Sequence, residues 1–246
     1  MAPWPYPRWV AHRGAGKLAP ENTLAAFRLG ATHGYRAFEC DVKLSADGLP
    51  FLLHDATLAR TSNGQGIAGQ QAWAALSQLD AGGWHSRAHA GEPLPTLAGI
   101  AAFIIANGFQ INIEIKPTPG HEQTTGRVVA EQAARLWAGQ PVPPLLSSFS
   151  PAALAGARET APGLPRALLL DSLAAGWPDQ AAGLGCAAVV TQHRLMDAGV
   201  LAELRARQWR ALVYTVNEPA DAQRLLALGI DGLITDAVDR FAPASA

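Results

Sequence analysis

Residues 37–54 read Ala-Phe-Glu-Cys-Asp-Val-Lys-Leu-Ser-Ala-Asp-Gly-Leu-Pro-Phe-Leu-Leu-His. The first half alternates strictly, so that Phe38, Cys40 and Val42 share one face of a strand while Glu39, Asp41 and Lys43 share the other. Asp47-Gly48 then gives a strong hairpin-turn signal, and the chain is predicted to fold straight back through residues 51–54. A two-residue turn sets His54 opposite Asp41, and a four-residue loop sets it opposite Glu39. Both registers bring the imidazole onto the charged face, whereas a register slipped by one residue turns it away.

Further along, Ile111-Asn112-Ile113-Glu114-Ile115-Lys116 repeats the pattern, with Asn112, Glu114 and Lys116 on a common face. Strands are predicted at 9–11, 37–43, 110–116, 145–148, 166–170, 187–190, 211–216 and 232–235. Helices are predicted between them at 23–33, 97–107, 123–138, 151–160, 172–184, 197–207 and 219–228. Such alternation implies βα units and a parallel sheet. Eight strands in 246 residues predict closure into an α/β fold of the (β/α)8 TIM-barrel type, one domain over 1–246. A doubly wound open sheet is the alternative, but no GxGxxG follows the first strand. Residues 55–96, after the hairpin, are rich in Gly, Gln, His and Ser and weakly patterned, which predicts a small insertion or active-site lid.

The bulk numbers exclude several function classes. Charged residues make up 16% and the formal net charge is -1, with no basic patch of the kind that nucleic-acid binding leaves. Cys40 and Cys186 lie far apart with no CxxC, which argues against a disulfide framework or a cysteine-rich zinc site. No stretch approaches the roughly 20 apolar residues of a membrane span, and the proline-rich start lacks a leader pattern. The expectation is a cytoplasmic protein with a small-molecule substrate, no membrane insertion, and monomer and homodimer both open.

Helices cover the outside of every strand in such a barrel, so the charged faces of the second and third predicted strands must point inward. Glu39, Asp41 and Glu114 would then converge near the strand ends, where unpaired buried charge costs several kcal/mol. A divalent cation that prefers oxygen, Mg²⁺ or Ca²⁺, satisfies all three. At the end of the first strand Ala11-His12-Arg13-Gly14 adds a histidine and an arginine at the same mouth. His12, His54, Arg13, Lys116 and a metal make a set suited to phosphodiester chemistry: cations for the phosphoryl oxygens, imidazoles for the proton transfers. Lys43 reads as a strand-end charge.

The order of these motifs resembles the glycerophosphodiester phosphodiesterase family, in particular its short cytosolic bacterial members, over nearly the whole chain. The similar segments include His12-Arg13-Gly14, Pro20-Glu21-Asn22-Thr23, Phe38-Glu39-Cys40-Asp41-Val42, His54-Asp55, Arg60-Thr61, Ile113-Glu114-Ile115-Lys116, Tyr214-Thr215-Val216-Asn217 and Thr235-Asp236. The resemblance implies a metal-dependent hydrolase that releases sn-glycerol 3-phosphate and an alcohol from deacylated phospholipids. It implies Glu39, Asp41 and Glu114 as metal ligands and His12 and His54 as the acid/base pair. It further implies Arg13 and Lys116 on the phosphate, Glu21 in support, and Tyr214, where many relatives carry tryptophan, as a wall against the glycerol end.

Overall fold

The computed structural model describes residues 3–241 and 243. Its strands are β1 (Trp9–Ala11), β2 (Ala37–Leu44), β3 (Pro50–Leu52), β4 (Gln110–Ile115), β5 (Leu145–Ser148), β6 (Arg166–Leu170), β7 (Ala188–Gln192), β8 (Arg210–Tyr214) and β9 (Gly232–Thr235). The helices are α1 (Leu24–Thr32), α2 (Trp73–Leu76), α3 (Leu97–Ala106), α4 (Glu122–Leu136), α5 (Pro151–Thr160), α6 (Trp177–Gly183), α7 (Ala198–Ala206) and α8 (Pro219–Leu228). All strands except β3 run parallel in one ring, which closes because β1 pairs with both β2 and β9. The chain is a (β/α)8 TIM barrel.

Two cores follow from the period of two along each strand. Phe38, Cys40, Val42, Ile111 and Ile113 face outward and pack with helix residues such as Phe27, Ile100 and Val129. Ala37, Leu145, Leu169, Val190 and Ile234 fill the barrel's interior, with Trp4 and Tyr6 packed against them. Apolar filling of the lower interior leaves the charged strand positions to the mouth. Short polar side chains start the helices: Thr23, Thr96, Ser150 and Asp197 each accept an amide of the first turn, of α1, α3, α5 and α7, which stabilises each by about 1 kcal/mol. The helix predicted over 172–184 is shorter than expected, because Gly176 takes a left-handed conformation (φ 83°) just before α6 begins.

The hairpin register differs from both expected alternatives. Val42 pairs with Leu52, Lys43 with Phe51 and Leu44 with Pro50. The loop is neither of two nor of four residues: Ser45 N donates to Leu49 O at 3.0 Å, and Gly48 N donates to Ser45 O at 2.9 Å. Gly48 supplies the left-handed step (φ 81°) that a three-residue loop of this form requires. Asp47 does not serve the turn alone, since its Oδ1 accepts from Ser45 Oγ at 2.5 Å and from Trp73 N at 2.9 Å, tying the loop to α2.

In this slipped register the amide of Leu53 donates to Asp41 O at 3.1 Å, and the Leu53 side chain joins a separate apolar cluster with Phe51, Leu58, Leu76 and Leu94. That cluster is the small core of the segment between β3 and α3. The segment is strapped to the barrel as well: Glu92 Oε1 accepts from Ala25 N at 3.0 Å, and His85 Nε2 lies 3.1 Å from Lys17 O. His54 therefore reaches the mouth by leaving the ladder, not by facing inward within it.

Candidate active site

The parallel register of β2 and β4 sets Glu39 beside Asn112 and Asp41 beside Glu114. Glu39, Asp41 and Glu114 are all buried, and one carboxylate oxygen from each lies within 4.8 Å of the others. Two buried oxygens in the group, Glu39 Oε1 and Asp41 Oδ1, accept no hydrogen bond. Burial, and next the neighbouring charge of Asp41, pushes the Glu39 carboxyl up to about 8 and raises that of Glu114 as well. Burial acts on Asp41 in the same direction, but Arg13 and Lys116 outweigh it and hold Asp41 below the usual carboxylate range. Two of the three acids thus resist ionising together without additional positive charge. An all-oxygen set of this kind fits a hard divalent cation.

Several residues fix Asp41. Asn22 Nδ2 donates to Asp41 Oδ2 at 2.8 Å, and Asn22 Oδ1 accepts from Asp41 N at 3.1 Å. Arg13 Nε stands 3.3 Å from Asp41 Oδ2, while Arg13 Nη1 donates to Glu21 Oε1 at 2.9 Å. Arg13 also holds a left-handed backbone (φ 52°), a conformation that costs a non-glycine residue about 1–2 kcal/mol. The turn aims the Arg13 amide at Glu39 Oε2, 3.1 Å away.

The two histidines share one design. His12 Nδ1 lies 2.6 Å from Asp236 Oδ1, leaving Nε2 to face Glu39 Oε2 at 3.7 Å. His54 Nδ1 lies 2.7 Å from Asp55 Oδ1, and its Nε2 accepts from Lys116 Nζ at 3.0 Å. Their acidities diverge. Burial opposes the His12 imidazolium, but the Asp236 hydrogen bond and the Glu39 charge overcome it and raise the pKa. For His54 burial prevails, with Arg13 and Lys116 adding to it against Asp41 and Asp55, and the pKa falls.

Lys116 donates to Glu114 Oε1 at 2.8 Å and lies 5.7 Å from the centre of the Phe149 ring. An open cleft of about 570 Å³ begins there, lined by Lys43, His54, Asp55, Lys116, Ser148 and Phe149 among others. Lys43 stands at the end of β2 as the sequence suggests, but it is buried there. It is 3% exposed, donates to Lys116 O at 3.2 Å, and burial, with Lys116 nearby, lowers its ammonium to about 8. Tyr214 packs against Phe149 of the cleft lining: its ring meets Phe149 edge-on at 5.7 Å and its hydroxyl donates to Leu170 O at 3.2 Å.

Sequence reasoning assigned no role to Asp236, Asp55, Asn22 or Arg60. Asp236 was within reach of the pattern, because closing the ring pairs Ala11 with Thr235, so the next residues, His12 and Asp236, must be neighbours. Gly16 protects that contact: a Cβ there would stand 2.0 Å from Asp236 O, on a backbone at φ 57°. Gly16→Ala is expected to displace the end of β9, costing about 1–3 kcal/mol and so about 2–4 °C of Tm per kcal/mol. Turnover should fall with it, and a thermal melt beside an activity assay checks both.

Comparisons with known proteins give relatives over nearly the whole chain. The glycerophosphoryl diester phosphodiesterase family profile matches residues 12–240. A glycerophosphodiester phosphodiesterase of Caldanaerobacter subterraneus subsp. tengcongensis is 30% identical over 92% of this chain and 93% of its own. A phosphodiesterase from Oleispira antarctica, solved in complex with the product sn-glycerol-3-phosphate, superposes with a TM-score of 0.90 at 31% identity, covering 98% of each chain. A glycerophosphodiester phosphodiesterase from Agrobacterium tumefaciens superposes with a TM-score of 0.82 at 29% identity, over 96% of this chain and 99% of that one. Among the described residues no helix is long and apolar enough to cross a membrane. With its barrel, its acidic cluster at the mouth and these relatives, the chain belongs to the glycerophosphoryl diester phosphodiesterase family, and its enzyme class is that of a glycerophosphodiester phosphodiesterase.

Proposed function

We propose that the chain hydrolyses deacylated phospholipids to an alcohol and sn-glycerol 3-phosphate, using Mg²⁺ or Ca²⁺ at Glu39, Asp41 and Glu114 and acid/base catalysis by His12 and His54. One observation carries this reading: two imidazoles, each fastened at Nδ1 by an aspartate, present Nε2 to the same buried acidic mouth. A bound cation would supply Lewis-acid stabilisation of the charge that grows on the phosphoryl oxygens. Arg13 and Lys116 bind the same oxygens from the protein side, and Glu21 keeps Arg13 in place. Lys116 Nζ lies 3.0 Å from His54 Nε2, so a turn of the ammonium toward the phosphate would release that nitrogen for proton transfer. One imidazole then accepts a proton from the attacking oxygen and the other donates one to the leaving alkoxide, each step worth on the order of 10²–10⁴-fold. Tyr214 walls the glycerol end, and residues 55–57 of the insertion border the cleft. Two free, buried cysteines are in keeping with a reducing, cytoplasmic setting.

A coupled glycerol 3-phosphate assay across choline, ethanolamine, glycerol and inositol diesters tests the reading. Equal release of glycerol 3-phosphate and free alcohol is the expected result. Release of a phosphorylated head group with free glycerol, accumulation of a cyclic phosphate as end product, or no turnover of any diester would each overturn it.

A further inference from the structure

Arg60 sits in the insertion, outside the set of residues that the proposed chemistry needs, yet it is the most heavily bonded cation at the mouth. Its Nη1 and Nη2 donate to Glu21 Oε2 and Oε1, each at 2.8 Å. Its Nε and Nη2 donate to Asp55 Oδ2 and Oδ1 at 2.6 and 3.1 Å. One guanidinium therefore grips two carboxylates in forked geometry, an arrangement that a lysine cannot reproduce. Each carboxylate has a second duty. Glu21 Oε1 also accepts from Arg13, and Asp55 Oδ1 also holds His54 Nδ1. The result is an unbroken chain, Arg13–Glu21–Arg60–Asp55–His54, that runs from the β1 loop to the second residue after β3.

We propose that Arg60 is a positioning residue, which fixes the His54 ring through Asp55 and the Arg13 guanidinium through Glu21, so that imidazole and phosphate ligand keep one mutual geometry. The need for such a brace follows from the hairpin register. His54 lies past the last paired residue of β3, so no ladder hydrogen bond sets its backbone, and the Nδ1 contact with Asp55 supplies its orientation. Asp55 is adjacent in sequence and shares the same freedom, and Arg60 is what anchors it to the barrel side. The Arg60 side chain is 44% exposed, against 13% for Glu21 and 27% for Asp55. Solvent screening at that exposure keeps the stability contribution modest even for a forked pair, whereas an angular error at a catalytic imidazole is costly in rate.

The inference rests on the proposed role of His54, so Arg60→Ala is measured beside His54→Ala on the wild-type background with glycerophosphocholine. Arg60→Ala is expected to lower kcat by about 10–100-fold with a smaller change in KM and a Tm within a few degrees of wild type. Guanidinium ion, which the exposed position admits, is expected to restore part of the lost kcat, and Asp55→Asn added to Arg60→Ala should cost much less than Asp55→Asn alone. Wild-type kcat in Arg60→Ala, or a loss that guanidinium does not touch and that adds fully to Asp55→Asn, would overturn the positioning role. Wild-type turnover in His54→Ala would instead overturn the reading on which it rests, so the two failures separate.

Discussion

Excess EDTA is expected to reduce turnover to background, and Mg²⁺ or Ca²⁺ added back is expected to restore it. The reason lies in the three buried acids. Glu39 Oε1 and Asp41 Oδ1 accept no hydrogen bond, and burial with mutual repulsion disfavours ionisation of Glu39 and Glu114 beside Asp41. A cation that relieves this binds the folded chain alone, so it must also stabilise it. At a concentration 100 times Kd the gain is about 2.7 kcal/mol, which for a domain of this size raises Tm by about 5–10 °C. Asp41→Asn removes the one acid of the three that stays readily ionised. Its metal affinity should fall by more than the roughly 10–100-fold that loss of an outer-shell partner causes. Titration calorimetry reads the affinity and a thermal melt reads the stability. Full activity in excess chelator, or identical melts with and without cation, would remove the metal from the reaction.

His12→Ala and His54→Ala are each expected to lower kcat by about 10²–10⁴-fold while circular dichroism and Tm remain near wild type. Both rings are partly exposed at the mouth, 14% for His12 and 29% for His54, so truncation opens onto solvent instead of leaving an enclosed cavity. Each ring instead bridges an aspartate to the mouth, at 2.6 Å for Asp236 and 2.7 Å for Asp55. Asp236→Asn and Asp55→Asn keep the size of those partners but remove the charge that orients the ring, and they should produce smaller losses in the same direction. The double histidine variant should be only modestly slower than the worse single one, because two groups serving one transition state do not contribute additively. Turnover close to wild type in either single variant would count against the acid/base pair.

Much of this was legible in the sequence, and particular residues show why. The alternation through Phe38–Lys43 and Ile111–Lys116 is a local property of strands, so facing was readable without any tertiary knowledge. A charged face inside a helix-covered ring has one place to go, the polar mouth. The hairpin register was not readable to the same precision. Asp47-Gly48 marks a turn, but the number of loop residues depends on Ser45 and on Trp73, whose amide donates to Asp47 from an element 26 positions away. The buried position of Lys43 was hidden for a similar reason, since a lysine at a strand end looks solvated until the chain after β4 meets it and accepts from its ammonium at Lys116 O.

The ring of parallel strands and the inward carboxylates were readable from the residue pattern, because these follow from periodicity and from the order of the motifs. Which partners hold the two histidines depends on long-range packing. Asp236 meets His12 because the last strand closes against the first, and Arg60 joins Glu21 to Asp55 across 39 and 5 residues of chain. Such contacts depend on how the ring closes and where a loop leaves its ladder. Those are properties of the packed whole, and no local pattern encodes them.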